Sequence, residues 1–544
     1  MLRLNELRLP LDHPPEALER EITARLGLGA GELRGWRVAR RGFDARRRGA
    51  IMLVYHLDLE VADEDGLLAR AGGRLTRTPD TRYRLPPAPA RPPRRRPVVV
   101  GAGPCGLMAA LVLAQMGLRP IILERGRVVR QRTVDTFAFW RRAELTGESN
   151  VQFGEGGAGT FSDGKLYSQI SDPDHYGRKV LEEFVRAGAP EEILFVSKPH
   201  VGTFRLVSMV EHLRRTIEGL GGEYRFGCRV SGLLVEQAPS GRRIGGLLLA
   251  DGCVLEADQV VLAVGHSARD TFEAVHAAGI AMEAKPLSIG VRIEHPQSLI
   301  DTARFGEQAR HPMLGAADYK LVHHARNGRG VYSFCMCPGG TVVAAASEPG
   351  GVVTNGMSQY SRAERNANAG IVVGVTAEDF GAHAGPYDPD GPLAGVGFQR
   401  HWERLAFEAG GRSYHAPAQR VGDFLAGRPS TALGAVVPSY KPGVTPTDLA
   451  LCLPEQAVVA MREALPQFER RLRGFALEDA VMTGVETRTS SPVRIPRGTD
   501  GQSINTAGLF PAGEGAGYAG GILSAGVDGI RTAEAVVRAV SDAA

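Results

Sequence analysis

Residues 97–126 read PVVVGAGPCGLMAALVLAQMGLRPIILERG. The apolar run Val98–Val100 predicts a short buried strand, and the glycines after it predict a tight turn into a helix over Pro104–Met116. Gly101, Gly103 and Gly106 have GxGxxG spacing, in which the first glycine bends the chain, the second admits a pyrophosphate, and the third packs helix against sheet. The N-terminus of the helix carries the positive end of the helix dipole, which favours phosphate groups.

A second predicted strand, residues 120–123, leads directly to Glu124. This carboxylate lies 23 residues after Gly101, close to the spacing of about 20 residues at which an acid binds a ribose hydroxyl. Strand, glycines, helix, strand and acid therefore occur in the order of a dinucleotide-binding βαβ unit. The alternative is a glycine-rich turn without a ligand, which does not explain this order. The unit alone does not distinguish NAD from FAD.

The chain has 544 residues, of which 43% are hydrophobic and 23% charged, as in a globular protein of two or three domains. No apolar run reaches the roughly 18 residues of a membrane span, and residues 1–18 have acids and prolines where a signal peptide has an apolar core. The six cysteines form neither a disulfide framework nor a CxxC set, so we expect no metal site. These features predict a cytoplasmic protein without membrane contact.

The first 96 residues contain 20 Arg, no Lys and 13 Asp or Glu, a net charge of +7 against −3 for the remainder. Strand patterns at 2–9, 32–40 and 50–61 and a helical pattern at 16–26 predict a small βαββ unit. The segment 85–97, LPPAPARPPRRRP, predicts a stiff linker and a domain boundary at about residue 90. The basic charge indicates either a weak nucleic-acid or acidic partner or a solvated arginine-rich face, and the absence of a stacking pattern of aromatic residues favours the second.

A second glycine-rich segment, VQFGEGGAGTFSDGKLY at residues 151–167, follows a helix predicted around residues 136–145. Gly156 and Gly157 lie near its centre, and a backbone of this kind can lie flat against a planar ring or a phosphate. The alternative is a flexible surface loop. The position of the segment soon after Glu124 favours contact with a bound dinucleotide. Lys165 is then a candidate cation beside the ring system of that cofactor, where the reaction would take place.

The C-terminal segment 508–530, GLFPAGEGAGYAGGILSAGVDGI, predicts a strand, a glycine-rich turn and a helix that begins near Gly521. It resembles the closing segment of flavoproteins of the glutathione-reductase type. The resemblance implies that the acid at the strand end, here Glu514, holds the ribityl chain of FAD, although Asp is commoner at that position. It also implies that the helix N-terminus faces the flavin pyrimidine. With both ends present, FAD is favoured over free NAD.

Further motifs resemble the uncharacterised FAD-dependent dehydrogenase family, bacterial flavoproteins with a small N-terminal extension. They are GAGPCGLMAA (101–110), FGEGGAGTFSDGKL (153–166), LAVGHSARDTF (262–272), GVRIEHPQ (290–297), YSFCMCPGG (332–340), TNGMS (354–358), ETRTSSPVRI (486–495) and GLFPAGEGAGYAGG (508–521). The resemblance implies bound FAD and a redox role, and it implies no particular substrate.

The predicted fold class is α/β: a Rossmann-type FAD-binding domain with an inserted α/β substrate (cap) domain and a small N-terminal α+β (βαββ) domain. The predicted boundaries are 1–90 for the N-terminal domain, 97–280 and 485–544 for the two parts of the FAD-binding domain, and 281–484 for the substrate domain. The residues expected to contact the cofactor are Gly101, Gly103, Pro104, Cys105, Gly106, Glu124, Arg125, Gly156, Gly157, Val230, Gly265, Gly513, Glu514, Gly521 and Ile522.

Four residues are candidates for catalysis: Lys165, Cys335, Cys337 and Arg488. Two thiols separated by one residue could exchange electrons with a flavin or attack a substrate, but buried cysteines often serve only as small apolar residues. Arg488 belongs to a polar cluster that either binds a substrate anion or the flavin edge, or forms salt bridges between domains.

The roles of three further polar residues are predicted less specifically. His266 and Arg269 follow a predicted strand–glycine turn and are expected near the FAD pyrophosphate. His295 is either a proton donor or, as is commoner for an isolated histidine, a structural residue.

The favoured function is a FAD-dependent oxidoreductase that exchanges a hydride between flavin N5 and a small organic substrate. The alternative is a flavin-containing RNA- or protein-binding or redox-sensing factor that acts through the arginine-rich N-terminal domain. After Gly265 the sequence has no second GxGxxG turn followed by a helix and a distant acid, so we expect no built-in NAD(P)H domain.

Overall fold

The computed structural model describes residues 1–47, 49–239 and 241–542. These residues form a small N-terminal sheet, a parallel sheet between helices, and a large, mainly antiparallel sheet. The α/β class predicted from the sequence is confirmed, and the parallel sheet between helices is consistent with the predicted Rossmann-type arrangement. The sequence also predicts a hairpin between the strand patterns at 32–40 and 50–61 and a Ser-Gly turn at 240–241, and Arg48 of the first and Ser240 of the second lie outside the described residues.

The N-terminal sheet has the order β2-β3-β1-β4. Its strands and helices are β1 (Leu2–Pro10), α1 (Ala17–Leu26), β2 (Leu33–Asp44), β3 (Met52–Val61), α2 (Glu64–Arg70) and β4 (Leu75–Arg77). Leu2, Leu4, Leu7 and Leu9 of β1 are buried. Side chains of alternate residues face one side of a strand, and a shift of register between Leu4 and Leu7 brings the second pair of leucines to the same side as the first. The predicted βαββ unit is thus present, and α2 and β4 extend it beyond the prediction.

The N-terminal sheet is fixed against both neighbouring units. Arg41 of β2 donates its backbone N–H to the carbonyl of Phe195 at 2.7 Å, and the N–H of Ile51 donates to Gln308 Oε1 at 3.2 Å. The segment after β4 has no helix or strand, yet Tyr83 OH donates to Glu534 Oε1 at 2.8 Å. The linker therefore lies along the body of the protein.

The parallel sheet has the order β22-β11-β5-β6-β7. Its strands are β5 (Val98–Val100), β6 (Ile121–Glu124), β7 (Glu223–Phe226), β11 (Val260–Leu262) and β22 (Leu509–Pro511). Strand β5 consists of three valines that are fully or almost fully buried, as expected for a parallel strand covered on both faces. A short antiparallel sheet of β8 (Val230–Ala238), β9 (Gly241–Leu249) and β10 (Val254–Glu256) adjoins it.

Helices pack around this parallel sheet: α3 (Pro104–Gln115), α4 (Val129–Arg142), α5 (Tyr176–Arg186), α6 (Thr203–Gly219), α7 (Arg269–Ala277) and α12 (Ile522–Asp542). Every residue of α3 from Cys105 to Ala114 is buried, because this apolar helix lies between the sheet and α12. Helix α4 begins seven residues before the helix predicted at 136–145, and this difference affects the site described below.

The large sheet lies in the predicted substrate domain and has the order β14-β15-β17-β13-β20-β18-β19, with β16 paired to β15. Its strands are β13 (Leu287–Pro296), β14 (Val322–His324), β15 (Gly330–Ala344), β16 (Thr354–Ser358), β17 (Asn366–Val375), β18 (Ala416–Arg420), β19 (Val444–Pro446) and β20 (Val481–Glu486). The helices of this region are α8 (Gln297–Phe305), α9 (Ala394–Ala409), α10 (Val421–Ala426) and α11 (Glu455–Arg471). A short ladder of β12 (Glu283–Ala284) and β21 (Val493–Arg494) lies where the chain enters and leaves the large sheet.

Among the described residues, no helix is both long enough and apolar enough to cross a membrane.

Candidate functional site

A cavity of about 410 Å³ lies between the parallel sheet and the large sheet. Its wall is built from the ends of β5, β6, β11 and β22, the N-terminus of α3, the glycine-rich loop before residue 168, part of β15, and residues 512–525 before and at the start of α12. Ligands of open α/β sheets bind at the carboxyl ends of the parallel strands. The cavity occupies that position.

Most of the residues predicted to contact the cofactor line this cavity: Gly101, Gly103, Pro104, Cys105, Glu124, Arg125, Gly157, Val230, Gly265, Gly513, Glu514, Gly521 and Ile522. Gly106 and Gly156 are absent from the lining, and their direct contact with the cofactor stays a prediction. A Cβ at Gly106 would lie 1.9 Å from the carbonyl oxygen of Gly101, so this glycine serves helix packing. The N–H of Gly156 donates to the carbonyl of Ala102 at 2.8 Å, which joins the two glycine-rich turns.

The first glycine turn has the local geometry that its sequence predicts. Gly101 has φ +101°, and a Cβ there would lie 2.4 Å from the carbonyl oxygen of Ala263, so only glycine fits between β5 and β11. Gly103 is the N-cap residue of α3, and a Cβ there would meet nothing closer than 3.6 Å. The surface at Gly103 is thus open toward the cavity beside the helix N-terminus.

Glu124 holds three backbone segments together at the cavity wall. Its carboxylate accepts the N–H of Ala102 at 2.9 Å, that of Gly126 at 2.8 Å and that of Gly154 at 3.1 Å. The carboxylate is 4% exposed and fastens the first glycine turn to the second. Its predicted contact with a ribose hydroxyl stays a prediction.

Arg132 of α4 organises the glycine-rich loop, and sequence reasoning did not identify it. The side chain is fully buried. Its guanidinium donates to the carbonyls of Asn150, Val151 and Glu155, each at 2.8 Å, and to that of Gly157 at 2.9 Å. Burial lowers the pKa of Arg132 to about 10. Because four loop carbonyls converge on one cation, the loop has a defined shape, and the alternative of a flexible surface loop is wrong.

A largely buried ion pair fixes the C-terminal turn. The carboxylate of Asp528 in α12 accepts the N–H of Gly513 at 2.7 Å and pairs with Arg497 at 2.5 Å. Glu514 follows in this turn and lines the cavity. Burial raises the pKa of Glu514 to about 7, with opposition from the Lys285 cation, so this carboxyl can hold a proton at neutral pH.

Arg488 forms a salt bridge at the cavity, and its binding of a substrate anion or of the flavin edge stays a prediction. It lines the cavity and also pairs with the carboxylate of Glu403 at 3.1 Å, which Arg269 holds from the other side at 2.7 Å. The two guanidinium groups and burial together lower the pKa of nearby His266, which lines the cavity, to about 3. The imidazole is therefore neutral at physiological pH.

The expectation for Arg269 is wrong, whereas His295 has the structural role that the sequence favoured. Arg269 is directed into the ion-pair cluster with Glu403 and Glu348 and is absent from the cavity lining, so it does not face a pyrophosphate there. His295 is fully buried, and its Nε2 lies 2.7 Å from the carbonyl oxygen of Phe475. Because His295 does not line the cavity either, it is a structural residue and not a proton donor of this site.

The remaining catalytic candidates lie where the glycine-rich loop meets β15. Lys165 and Cys335 line the cavity, and Cys337 lies buried behind them. Lys165 Nζ donates to the carbonyl of Met336. Burial alone would lower the pKa of Lys165, but the two thiols and Asp163 raise it above the ordinary value, so the side chain is charged. Phe334 and Asn355 line the same part of the cavity and were not predicted.

The cavity fits a dinucleotide with a flavin. Its glycine turn is open beside the N-terminus of a helix of 12 residues, which favours a pyrophosphate. Acidic side chains at Glu124 and Glu514 offer acceptors for sugar or ribityl hydroxyls. Among the described residues, no group of three or more His, Cys, Asp or Glu side chains is arranged to hold a metal ion.

Comparison with known families supports the same cofactor. Residues 286–489 match the family described as FAD-dependent protein, C-terminal domain-like, and residues 96–148 match an FAD binding domain. Residues 1–60 match a domain of unknown function. FAD is therefore the cofactor of this chain, as the sequence predicted.

A full-length relative is an uncharacterized protein of Clostridium beijerinckii, 44% identical over 538 residues and covering 98% of each chain. Similar solved structures include glycine oxidase from Bacillus cereus, with 9% identity, TM-score 0.32, and coverage of 82% of this chain and 95% of that one. L-Amino acid deaminase from Proteus myxofaciens has 13% identity, TM-score 0.30, and coverage of 85% and 93%. TM-scores of this size carry no argument about function.

Proposed function

The chain belongs to the family of FAD-dependent proteins that its Clostridium beijerinckii relative represents, and on this premise we propose that it is an oxidoreductase acting on a small organic substrate. One observation carries the proposal. A single cavity contains both the dinucleotide cradle around Gly103 and a polar wall formed by Lys165, Cys335 and Asn355. A flavin held by the cradle would present its ring to that wall.

When bound, FAD supplies a site at N5 that exchanges a hydride with a substrate. The protein then has to position the substrate and handle protons. Lys165 is charged at the cavity wall and favours an anionic group on the substrate or on the ring, whereas the charge of Arg488 is already paired with Glu403. Glu514 can keep or release a proton near neutral pH because burial raises its pKa to about 7, whereas His266 stays neutral.

We expect the FAD-loaded protein to react slowly or not at all with NADH or NADPH alone. The reason is that the sequence contains one complete dinucleotide fingerprint, and that fingerprint belongs to the FAD cradle. The measurement is anaerobic stopped-flow mixing with each nucleotide, followed by flavin absorbance. A parallel screen mixes chemically reduced protein with small organic oxidants and identifies those that restore the absorbance of oxidised flavin.

Rapid, saturable bleaching by NADPH without a second substrate would contradict this expectation and would assign a nucleotide-dependent reductase instead. Reduction by dithionite in the same apparatus is the control, because it shows that the bound flavin accepts electrons. A protein that neither contains nor binds FAD would contradict the oxidoreductase proposal as a whole.

The arginine-rich domain supports the alternative function less well. Nine arginines of the first 96 residues have acidic partners within 4 Å in the described structure: Arg3, Arg8, Arg37, Arg46, Arg77, Arg82, Arg84, Arg95 and Arg96. Guanidinium groups that already have carboxylate partners release less free energy on phosphate binding. Binding of RNA or of a protein by the N-terminal domain is therefore our second proposal, after the oxidoreductase.

A chain that begins at residue 79 is expected to retain FAD and to lose stability. In the part of the chain that the structure describes, no residue before Val100 lines the cavity. Removal of the N-terminal sheet exposes apolar side chains such as Phe305, whose ring lies 5.6 Å from that of Phe43. The measurements are flavin content and thermal unfolding of the shortened and full-length proteins. Loss of FAD on shortening would contradict the separability of this domain, and salt-sensitive RNA binding by the full-length chain alone would favour the second proposal.

A further inference from the structure

Strand β15 is interrupted where it carries the two cysteines. Phe334 pairs with Gly370 of β17, but Cys337 pairs with Asn368, so β15 has one extra residue between these pairs. Such a bulge changes the direction of a side chain, and bulges are frequent beside active sites. Cys335 lies in the bulge with φ +42°, a left-handed backbone that is uncommon for a residue other than glycine. The bulge places Cys335 at the cavity wall.

Two cations flank this cysteine. Arg292 of β13 is fully buried and donates from Nη1 to the carbonyl of Cys335 at 2.9 Å. On the other side, Lys165 donates to the carbonyl of Met336, the residue between the two cysteines. The backbone of the Cys335–Cys337 segment is thus held between a guanidinium and an ammonium group.

The carboxylates of this cluster do not balance its positive charges. Arg292 pairs with Glu486 at 2.8 Å, and Asp163 pairs with Arg362, with Nε and Oδ1 3.0 Å apart. Within the described ranges, no carboxylate oxygen lies within 4 Å of Lys165 Nζ. A buried cation needs a negative partner, and the thiol of Cys335 is a group at this wall that can supply one.

The neighbouring groups also favour the thiolate form of Cys335. A hydrogen bond from the Cys337 thiol lowers the pKa of Cys335, burial raises it, and the charges of Lys165 and Arg292 lower it further, so that it lies well below the usual range despite the opposing Asp163. The pKa of Cys337 is raised by the same hydrogen bond and by burial. Its Sγ lies 3.3 Å from the Cys335 carbonyl oxygen, which keeps the second sulfur beside the first residue.

We propose that Cys335 and Cys337 form a dithiol–disulfide couple that exchanges two electrons with the flavin in the same cavity. In the oxidising direction the Cys335 thiolate and the Cys337 thiol form an S–S bond, and the Cys337 proton is released. The two electrons and one proton reduce oxidised flavin, so the exchange balances without a further reactant. In the opposite direction reduced flavin returns them and the disulfide opens. This inference rests on the proposed flavin site and adds a second redox centre to it.

The test is an anaerobic titration of FAD-loaded protein with dithiothreitol, followed by flavin absorbance. At each step a sample is quenched in acid and alkylated, and the peptide with residues 335 and 337 is weighed by mass spectrometry. We expect a disulfide, two hydrogens lighter, in the oxidised protein and two alkylated thiols after the titration. Bleaching of the flavin should be at least about 100-fold slower in Cys335→Ser and in Cys337→Ser, because each lacks the disulfide that accepts electrons from dithiothreitol.

Cys253→Ser is the matched control, since Cys253 is an exposed thiol outside the cavity lining, and it should bleach like the wild type. Each variant should keep its FAD through gel filtration, which shows that it folds and holds the cofactor, and dithionite should then bleach it, which shows that the flavin accepts electrons. The inference is overturned if the oxidised wild type has no 335–337 disulfide, if dithiothreitol does not bleach it, or if both serine variants bleach at the wild-type rate. These outcomes leave the proposed flavin site intact, whereas absence of bound FAD would remove that site first.

Discussion

Replacement of Arg132 with methionine is expected to disorder the glycine-rich loop and to abolish FAD binding. Methionine fills a similar volume but donates no hydrogen bond, so the four carbonyls that Arg132 contacts at 2.8–2.9 Å lose this donor. The carbonyl of Gly157 still accepts the N–H of Thr160 at 3.2 Å, so three buried carbonyls are left without a donor in the described structure. Each unsatisfied buried group costs about 1–3 kcal/mol. We therefore expect the free energy of unfolding to fall by at least about 3 kcal/mol.

The measurement combines flavin content after purification with denaturant unfolding of the protein with and without added FAD. Arg130→Met is the matched control on the same helix, because Arg130 is 66% exposed and pairs with Glu211 at the surface. Loss of this surface ion pair should lower the free energy of unfolding by no more than about 1 kcal/mol. Arg132→Lys should lose nearly as much stability and flavin as Arg132→Met, since a lysine ammonium group cannot donate at once to carbonyls that surround a planar guanidinium group. An Arg132→Met protein with wild-type flavin content would show that the loop keeps its shape without this residue.

The sequence predicted those parts of the site that local spacing encodes. The glycine turn, α3 and Glu124 lie within 30 residues of one another, and each step of the motif has a steric or electrostatic reason. The structure accordingly places Gly101, Gly103 and Glu124 at the cavity. The same holds for the C-terminal turn, where Glu514 and Gly521 line the wall.

The residues that sequence reasoning missed act across long separations or on backbone groups. Arg132 contacts backbone carbonyls, and a pattern of side chains does not predict such contacts. The helix predicted at 136–145 also began too late to include Arg132. Arg292 and Glu486 are 194 positions apart and meet only because β13 and β20 pair. The one available signal was the placement of an arginine in an apolar strand, since a buried arginine requires a partner.

The bulge in β15 shows a different limit of the sequence. The motif around Cys335 and Cys337 suggested either redox chemistry or simple packing, and the sequence reasoning did not place the two cysteines in a strand. The extra residue opposite β17 directs Cys335 toward the cavity and leaves Cys337 buried. A bulge depends on the pairing of two strands, so residues of β15 alone do not specify it.

Replacement of Gly103 with valine is expected to abolish FAD binding while the protein still folds. A Cβ at Gly103 meets no atom of the described protein closer than 3.6 Å, and φ there is −78°, which any residue adopts. The branched side chain would instead occupy the cavity beside the N-terminus of α3, where a pyrophosphate has to approach the backbone. We expect FAD affinity to fall at least about 100-fold, or about 2.8 kcal/mol at 1.4 kcal/mol per tenfold.

The neighbouring glycines make this prediction specific. Valine at Gly106 or Gly101 would place a Cβ 1.9 or 2.4 Å from a backbone carbonyl oxygen, so those variants should fail to fold and would say nothing about the cofactor. The free energy of unfolding of Gly103→Val should lie within about 1 kcal/mol of that of the FAD-free wild type, a difference typical of a changed N-cap residue.

The control is Gly219→Val, which should keep full flavin content. Gly219 lies at the end of α6, and a Cβ added there has no atom within 4 Å. FAD titration of the FAD-free proteins, followed by flavin fluorescence and by thermal unfolding, separates the two effects, because bound FAD raises the unfolding temperature only where the cradle is open. Unchanged affinity in Gly103→Val would mean that the phosphates bind elsewhere in the cavity.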